Sequence, residues 1–158
     1  MSTYVLTGAG SGIGRLVAER LHARGDTLIL IARDDRRAAD LTAAFPGAVA
    51  VASDLADPTA LADAVAAALP EAIDGIVHAA GIVELGTVAE LPVDAWTSQL
   101  TVNLVAPAEL TRLLLPRVRA ARGQVVFVNS GAGLTAHAGW AAYAASKHGL
   151  KALADALR

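Results

Sequence analysis

Short apolar runs alternate with longer mixed stretches along the whole chain. Tyr4-Val5-Leu6-Thr7 is a run of strand length, and a glycine-rich turn separates it from a helical pattern between Arg15 and about Arg24. Thr27 to Ile31 is an apolar run of the kind found in sheets buried on both faces. Asp34 then stands where an N-cap would open a helix from Asp35 to Phe45. Ala48 to Ala52 predicts a third strand, and a helix from about Pro58 to Leu69 follows, with proline suited to its first turn. Ile73 to His78 predicts a fourth strand. Pro92 to Val102 reads as a helix with Trp96 on its apolar side, and a second helical stretch runs to about Ala121. Pro107 and Pro116 lie inside that pattern and predict a break near Asn103 and a kink beyond it. Val125 to Val128 is a fifth strand, and Leu134 to Ala142 a loop. The alanine-rich stretch from Tyr143 to Arg158 forms a last helix. Strands alternating with helices predict an α/β protein with a parallel, doubly wound sheet in three layers.

Composition narrows the picture. The chain has 158 residues, the size of one domain, here 1–158. Charged residues make up 18%, below the roughly 25% of an average globular protein, so much surface must be buried in a two-sided sheet or a subunit interface. A net charge of −2 leaves no footprint for nucleic acid. There is no cysteine, and His22, His78, His137 and His148 show no metal-ligand spacing, so no metal site is expected. The first apolar residues lead directly into the glycine turn and no run approaches membrane-spanning length, which points to a cytoplasmic protein without a membrane partner.

The notable polar groups fall at strand ends. Gly8-x₃-Gly12-x-Gly14 between a strand and a helix suits phosphate binding, because small residues let the backbone approach and a helix N-terminus offers N–H groups. The spacing is not G-x-G-x-x-G. The second strand ends Ala32-Arg33-Asp34, where an acid would favour NAD and an arginine the 2′-phosphate of NADP. Ala32 holds the expected acid position and Asp34 reads as a helix cap, so NADP is favoured over NAD. Asp54 suits either an adenine amino group or the cap of the next helix. His78 reads as a packed strand-end residue, followed by Ala79-Ala80-Gly81, small enough for a flat ligand. Ser130 puts a hydroxyl just past the fifth strand. Tyr143 and Lys147 are one helical turn apart on one face. A free tyrosine ionises near ~10, too high for proton exchange at neutral pH, and a nearby ammonium favours the phenolate.

Thr7-Gly8-x₃-Gly12-x-Gly14, Asp54, Ala79-Ala80-Gly81, Asn103, Ser130 and Tyr143-x₃-Lys147, in this order over the whole chain, resemble the short-chain dehydrogenase/reductases. The resemblance implies a Rossmann-type fold and hydride transfer between NADP(H), with NAD(H) as the alternative, and a small carbonyl or alcohol substrate. Tyr143 resembles the catalytic acid/base, Ser130 the hydroxyl that holds the substrate oxygen, and Lys147 the residue that binds the nicotinamide ribose and supports the tyrosine. Asn103 resembles the asparagine that holds a water in a proton relay. Gly8, Gly12 and Gly14 resemble the pyrophosphate loop, which also contains Ser11 and Ile13. Arg33 resembles the NADP-selecting arginine and Asp54, beside Leu55, the adenine contact, while Ala80 and Gly81 complete the expected cofactor contacts. Ile82 to Leu85 and Leu134 to Trp140 form the expected substrate wall, with Val83, His137 and Trp140 as candidate contacts.

The sequence also departs from the family pattern. His78 stands where the family often has asparagine, and Ser11 where some NADP-dependent members carry a basic residue. Members usually continue past the tyrosine helix to a total of seven strands, so the chain is expected to be incomplete at its C-terminus. A chain that truly ended there would be a nucleotide-binding or interaction module without turnover. The family further implies a homodimer or homotetramer.

Overall fold

A computed structural model describes residues 1–66 and 69–158. β1 (Thr3–Thr7), β2 (Thr27–Ala32), β3 (Val49–Ala52), β4 (Gly75–His78) and β5 (Gln124–Phe127) form one sheet in the order β3-β2-β1-β4-β5. Every pairing is parallel, with Val5 opposite Ile29 on one side and Ile76 on the other. The helices are α1 (Gly12–Ala23), α2 (Asp35–Ala44), α3 (Leu61–Ala66), α4 (Val93–Leu100), α5 (Ala106–Ala120) and α6 (Ala141–Ala156). A 3₁₀ turn, Pro58–Ala60, leads into α3, and the expected end of that helix lies in part outside the described residues.

Alternation along the strands builds two cores. Val5, Ile29 and Ile76 face one side and pack with Leu61 of α3 and Leu110 and Leu114 of α5. Leu6, Leu28, Leu30 and Val77 face the other, against Ala18 of α1, Leu41 of α2 and Phe45 just past its end. Both sheet faces are therefore apolar, which is why the strands read as unbroken apolar runs. The result is the three-layer Rossmann-type fold that the alternation predicts. β5 is an edge strand, with Val126 exposed, and a cavity of ≈ 690 Å³ lies beside it between α5 and α6.

Several boundaries differ from the sequence reading. Ile73, expected in β4, instead donates its N–H to the Arg117 carbonyl on α5 (3.2 Å), so the strand begins at Gly75. The expected break at Asn103 is a π-helical turn, Thr101–Val105, between α4 and α5. Ala106 N–H bonds the Thr101 carbonyl, five residues back. Pro107 has no N–H to give to the Asn103 carbonyl four residues earlier, and the helix accommodates this with a wider turn rather than an end. α5 runs on through Pro116. On α4 the buried positions are Ala95 and Gln99, and Trp96 is half-buried. The last helix starts at Ala141, which puts Tyr143 in its first turn.

His78 closes β4 inside the protein. Its Nε2 lies 2.9 Å from Thr111 Oγ1 and its ring stacks on Phe127 at 4.9 Å, while Nδ1 is buried without a partner. Burial pushes its pKa from 6.5 down to about 3. The folded ring thus resists a proton that the unfolded ring accepts, so stability is full above about pH 6.5 and falls as pH drops towards 3. The expected loss is up to about 1.4 kcal/mol per pH unit. Urea unfolding of wild type and His78→Asn between pH 7 and 5 checks it, and parallel stability profiles for the two would contradict it.

Candidate active site

The chain leaves β1 towards β2 and returns through β4, so a crevice opens where the two directions part, beyond the C-terminal ends of β1 and β4. Its floor is a backbone contact that only glycine permits. Gly8 has φ +76, and a Cβ there would lie 2.6 Å from Ala80 N and 2.7 Å from Ala79 C. A Cβ on Gly14 would overlap the Gly8 carbonyl, whereas one on Gly10 would meet nothing within 4 Å. Ser11, in extended conformation, precedes α1 without a side-chain capping bond, and no acid occupies the first turn. The first-turn N–H groups are therefore left for another acceptor.

The crevice has a volume of ≈ 650 Å³. Gly8, Ser11, Gly12 and Ile13 line it from the loop, Arg33 from the end of β2, Asp54 and Leu55 from the end of β3, and Ala80 and Gly81 from the end of β4. Gly14 lies behind this lining, against Gly8. Arg15 and Arg37, which the sequence reading did not select, also reach it. Arg37 is four residues after Arg33, and that spacing across a helix start was the available signal.

Asp34 caps α2 by accepting the Arg37 N–H (2.8 Å), as expected. Arg33 Nε and Arg37 Nε each lie 3.6 Å from its other oxygen. The Arg37 N–H bond first, and then the two guanidinium groups, hold the Asp34 carboxyl below the usual carboxylate range. Asp54 does not cap the following helix. Its Oδ1 accepts the Ala56 N–H (2.9 Å), while Asp57 caps the 3₁₀ turn through the Thr59 N–H (3.2 Å).

The remaining candidates lie outside this lining. Ser130 opens a 3₁₀ turn, Gly131–Gly133, and its Oγ accepts the Ala132 N–H (3.1 Å). A hydroxyl that accepts still has its own proton to donate. This turn abuts α6, because a Cβ on Gly133 would lie 2.7 Å from the Lys147 carbonyl. Lys147 is buried and its Nζ donates to the Val128 carbonyl (3.1 Å) on the crevice lining. Desolvation lowers its pKa from 10.5. The same Nζ is 5.9 Å from the Tyr143 ring centre and 3.6 Å from where a Gly81 Cβ would be. Lys147 thus joins crevice and tyrosine. Trp140 stands edge-on to Tyr143 (6.2 Å), and His137 edge-on to Trp140 (5.5 Å). Val83 is exposed on the loop after β4.

Asn103 sits fully buried at the junction. Its Oδ1 accepts the Ile82 N–H (2.8 Å), and its Nδ2 donates to the Ile82 carbonyl (2.8 Å) and to Ser146 Oγ (3.0 Å). Ser146 Oγ in turn donates to the Tyr143 carbonyl (2.8 Å). One turn earlier Gln99, also fully buried, treats Glu84 in the same way. Neither Gln99 nor Ser146 was selected from the sequence. The signal for Gln99 was an amide four residues before Asn103 in an apolar helix, and for Ser146 its place beside Lys147.

Among the described residues no helix is long and apolar enough to cross a membrane. The family model for short chain dehydrogenases matches residues 2–158. Dehydrogenase/reductase SDR family member 7B of Mus musculus is 34% identical over 99% of this chain and 52% of its own length. A short chain dehydrogenase of Penicillium brasilianum is 34% identical over 92% of this chain and 58% of its own length. The crystal structure of a short-chain dehydrogenase from Streptomyces avermitilis superposes with a TM-score of 0.90 at 35% identity, covering 99% of this chain and 59% of that one. The chain thus spans about half the length of the curated relatives it matches.

The loop geometry makes a contrast between two neighbouring glycines testable. Gly14→Ala forces Gly8 off the Ala79-Ala80 backbone and is expected to cost about 1–3 kcal/mol. Gly10→Ala, fronting open space, should stay within about 0.5 kcal/mol of wild type. Denaturant unfolding of both variants measures the contrast, and equal losses would show the Gly8–Gly14 contact to be slack.

Proposed function

The chain belongs to the short-chain dehydrogenase family, and on that premise we propose that the whole protein is an NADP(H)-dependent oxidoreductase of a small carbonyl or alcohol compound. The observation that carries the reading is Lys147, a buried ammonium anchored on the crevice lining and beside the Tyr143 ring. The residues present fit a dinucleotide. The uncapped N-terminus of α1 suits a pyrophosphate, since its N–H groups and partial positive charge have no acid of the chain to satisfy them. Arg33 and Arg37 suit a 2′-phosphate, and Asp34 is already occupied by the Arg37 N–H and flanked by both guanidinium groups. Asp54 and Leu55 would flank the adenine. Lys147, with two of its three donors left after Val128, would hold the nicotinamide ribose.

The bound nicotinamide supplies the hydride chemistry. Tyr143 gives a proton to the substrate oxygen on reduction and takes it on oxidation. Ser130 donates its hydroxyl proton to the same oxygen, and the Ala132 N–H, by bonding its Oγ, polarises it for that donation. Lys147 sets its ammonium beside the phenol ring, 5.9 Å from its centre. The Asn103 side chain is fully engaged with Ile82 and Ser146, so a relay water would rest on its main-chain carbonyl, which Pro107 leaves without its usual helical donor.

Tyr143→Phe is expected to lower kcat by about 10²–10⁴-fold. Its affinity for NADPH, read by calorimetry, should change by less than about threefold. Loss of NADPH binding in step with turnover would assign Tyr143 to scaffold instead. Calorimetry with NADPH and NADH also tests the selection. Wild type should bind NADPH more tightly, and Arg33→Ala should shrink the preference by about tenfold, the worth of one charge-assisted bond. Tighter NADH binding by wild type would transfer the selection to Asp34.

A further inference from the structure

The loop after β4 is held as a strand without a partner strand. Asn103 takes both the N–H and the carbonyl of Ile82, at 2.8 Å each. Gln99 takes both the N–H and the carbonyl of Glu84, at 3.0 and 3.1 Å, and fixes its own amide on the Ala95 carbonyl (3.2 Å). Gly86 then donates to the Gly139 carbonyl (2.7 Å) and accepts from the Ala141 N–H (3.4 Å). Residues 82 and 84 therefore both turn their peptide groups towards one helix, the period of two that defines extended backbone, and Gly86 continues two residues on by pairing with Gly139 to Ala141. The spacing works because four residues along a helix advance about 6 Å and two along a strand about 6.6 Å. Two amides one helical turn apart thus imitate an adjacent strand.

This clamp governs the expected substrate wall. It presents Val83 and Leu85, 59% and 56% exposed, on a segment that would otherwise be a free loop. Through Gly86 it fixes the register of Gly139 to Ala141, and so of Trp140 beside Tyr143. Asn103 shares its amide with the Tyr143 helix, whereas among the described residues the hydrogen bonds of the Gln99 side chain go to the loop and its own helix. Removing Gln99 therefore loosens the wall and leaves the Tyr143 anchorage whole.

We propose that Gln99 is a positioning residue, which acts through Glu84 to hold the Ile82–Gly86 wall straight and so sets how tightly substrate is bound, not how fast it reacts. The proposal rests on the oxidoreductase reading, and its test separates the two. Wild type, Gln99→Met and Gln99→Glu are compared in the whole protein by amide hydrogen exchange, by calorimetry with NADPH, and by turnover of a panel of small ketones and aldehydes with NADPH. Gln99→Met should speed exchange of the 82–86 amides by about tenfold or more, because the Glu84 N–H loses its acceptor. It should raise KM about tenfold while kcat and the NADPH Kd stay within about threefold. Gln99→Glu, which still accepts from the Glu84 N–H, should fall between. Faster exchange with KM unchanged overturns the proposal, as does a fall in kcat at constant KM. Parallel loss of NADPH binding would show a general structural role and also overturn it. Unchanged exchange in Gln99→Met removes the clamp whatever the reaction. A wild type that binds NADPH but turns over none of the panel counts against the oxidoreductase reading and the substrate role with it, while exchange still decides the clamp.

Discussion

One buried amide ties together the parts of this molecule that could do chemistry. Asn103 is fully buried and binds the loop after β4 through Ile82 and the last helix through Ser146. An amide in that position cannot be removed cheaply, because each abandoned partner would lose its bond away from water. The π-turn around it follows from the same constraint. By wrapping Thr101–Val105 more widely, the chain sets α5 back relative to α4 by about one residue. Gln99 and Asn103 can then face the loop while Leu110 and Leu114 face the sheet. An uninterrupted α-helix would turn both sets in the same direction.

The glycine loop solves the complementary problem on the other wall of the crevice. β1 and β4 are adjacent, and the segments leaving them must cross at backbone distance. Gly8 in the left-handed region, pressed on Ala79-Ala80, makes that crossing, and Gly14 lets α1 start immediately above it. The uncapped end of α1, the Arg33–Arg37 pair and the buried Lys147 therefore open on or border one crevice of ≈ 650 Å³. Positive ends and cations collect there because strand termini and helix N-termini meet at that edge of a doubly wound sheet.

The sequence carried most of this fold, because two-sided burial writes the strands as apolar runs and the connections as helices. It also carried those site residues whose chemistry is marked by spacing, Tyr143 with Lys147 and the glycines of the loop. Their gathering around Lys147 and the crevice is geometry; their roles are inferred from the family. What the sequence did not carry are contacts made by ordinary residues across the fold. Gln99 and Ser146 have no motif in isolation, and their meaning lies in the backbone groups they meet, residues 84 and 143. Pro107 was legible as a disturbance but not as a π-turn, since a helix can answer a missing N–H either by ending or by widening, and packing decides. Asp54 was legible as a possible cap of the helix after β3, and only the turn geometry gives that place to Asp57.

Counting spent and unspent hydrogen-bonding capacity separates scaffold from chemistry within the site. Gln99 has given both amide protons, to Glu84 and Ala95, and Asn103 both of its own, to Ile82 and Ser146. These side chains have no proton left to share with a ligand. Ser130 accepts one bond and keeps its proton, and Lys147 has used one of three. Lys147 lies beside the Tyr143 ring and the crevice lining, and Ser130 opens the turn that abuts the same helix, whereas the saturated amides hold the loop after β4. A buried polar group with nothing left over serves geometry, and one held by a single bond remains available to whatever enters. On that criterion the Ser130 hydroxyl and the Lys147 ammonium remain open to a ligand, and the Asn103 side chain does not.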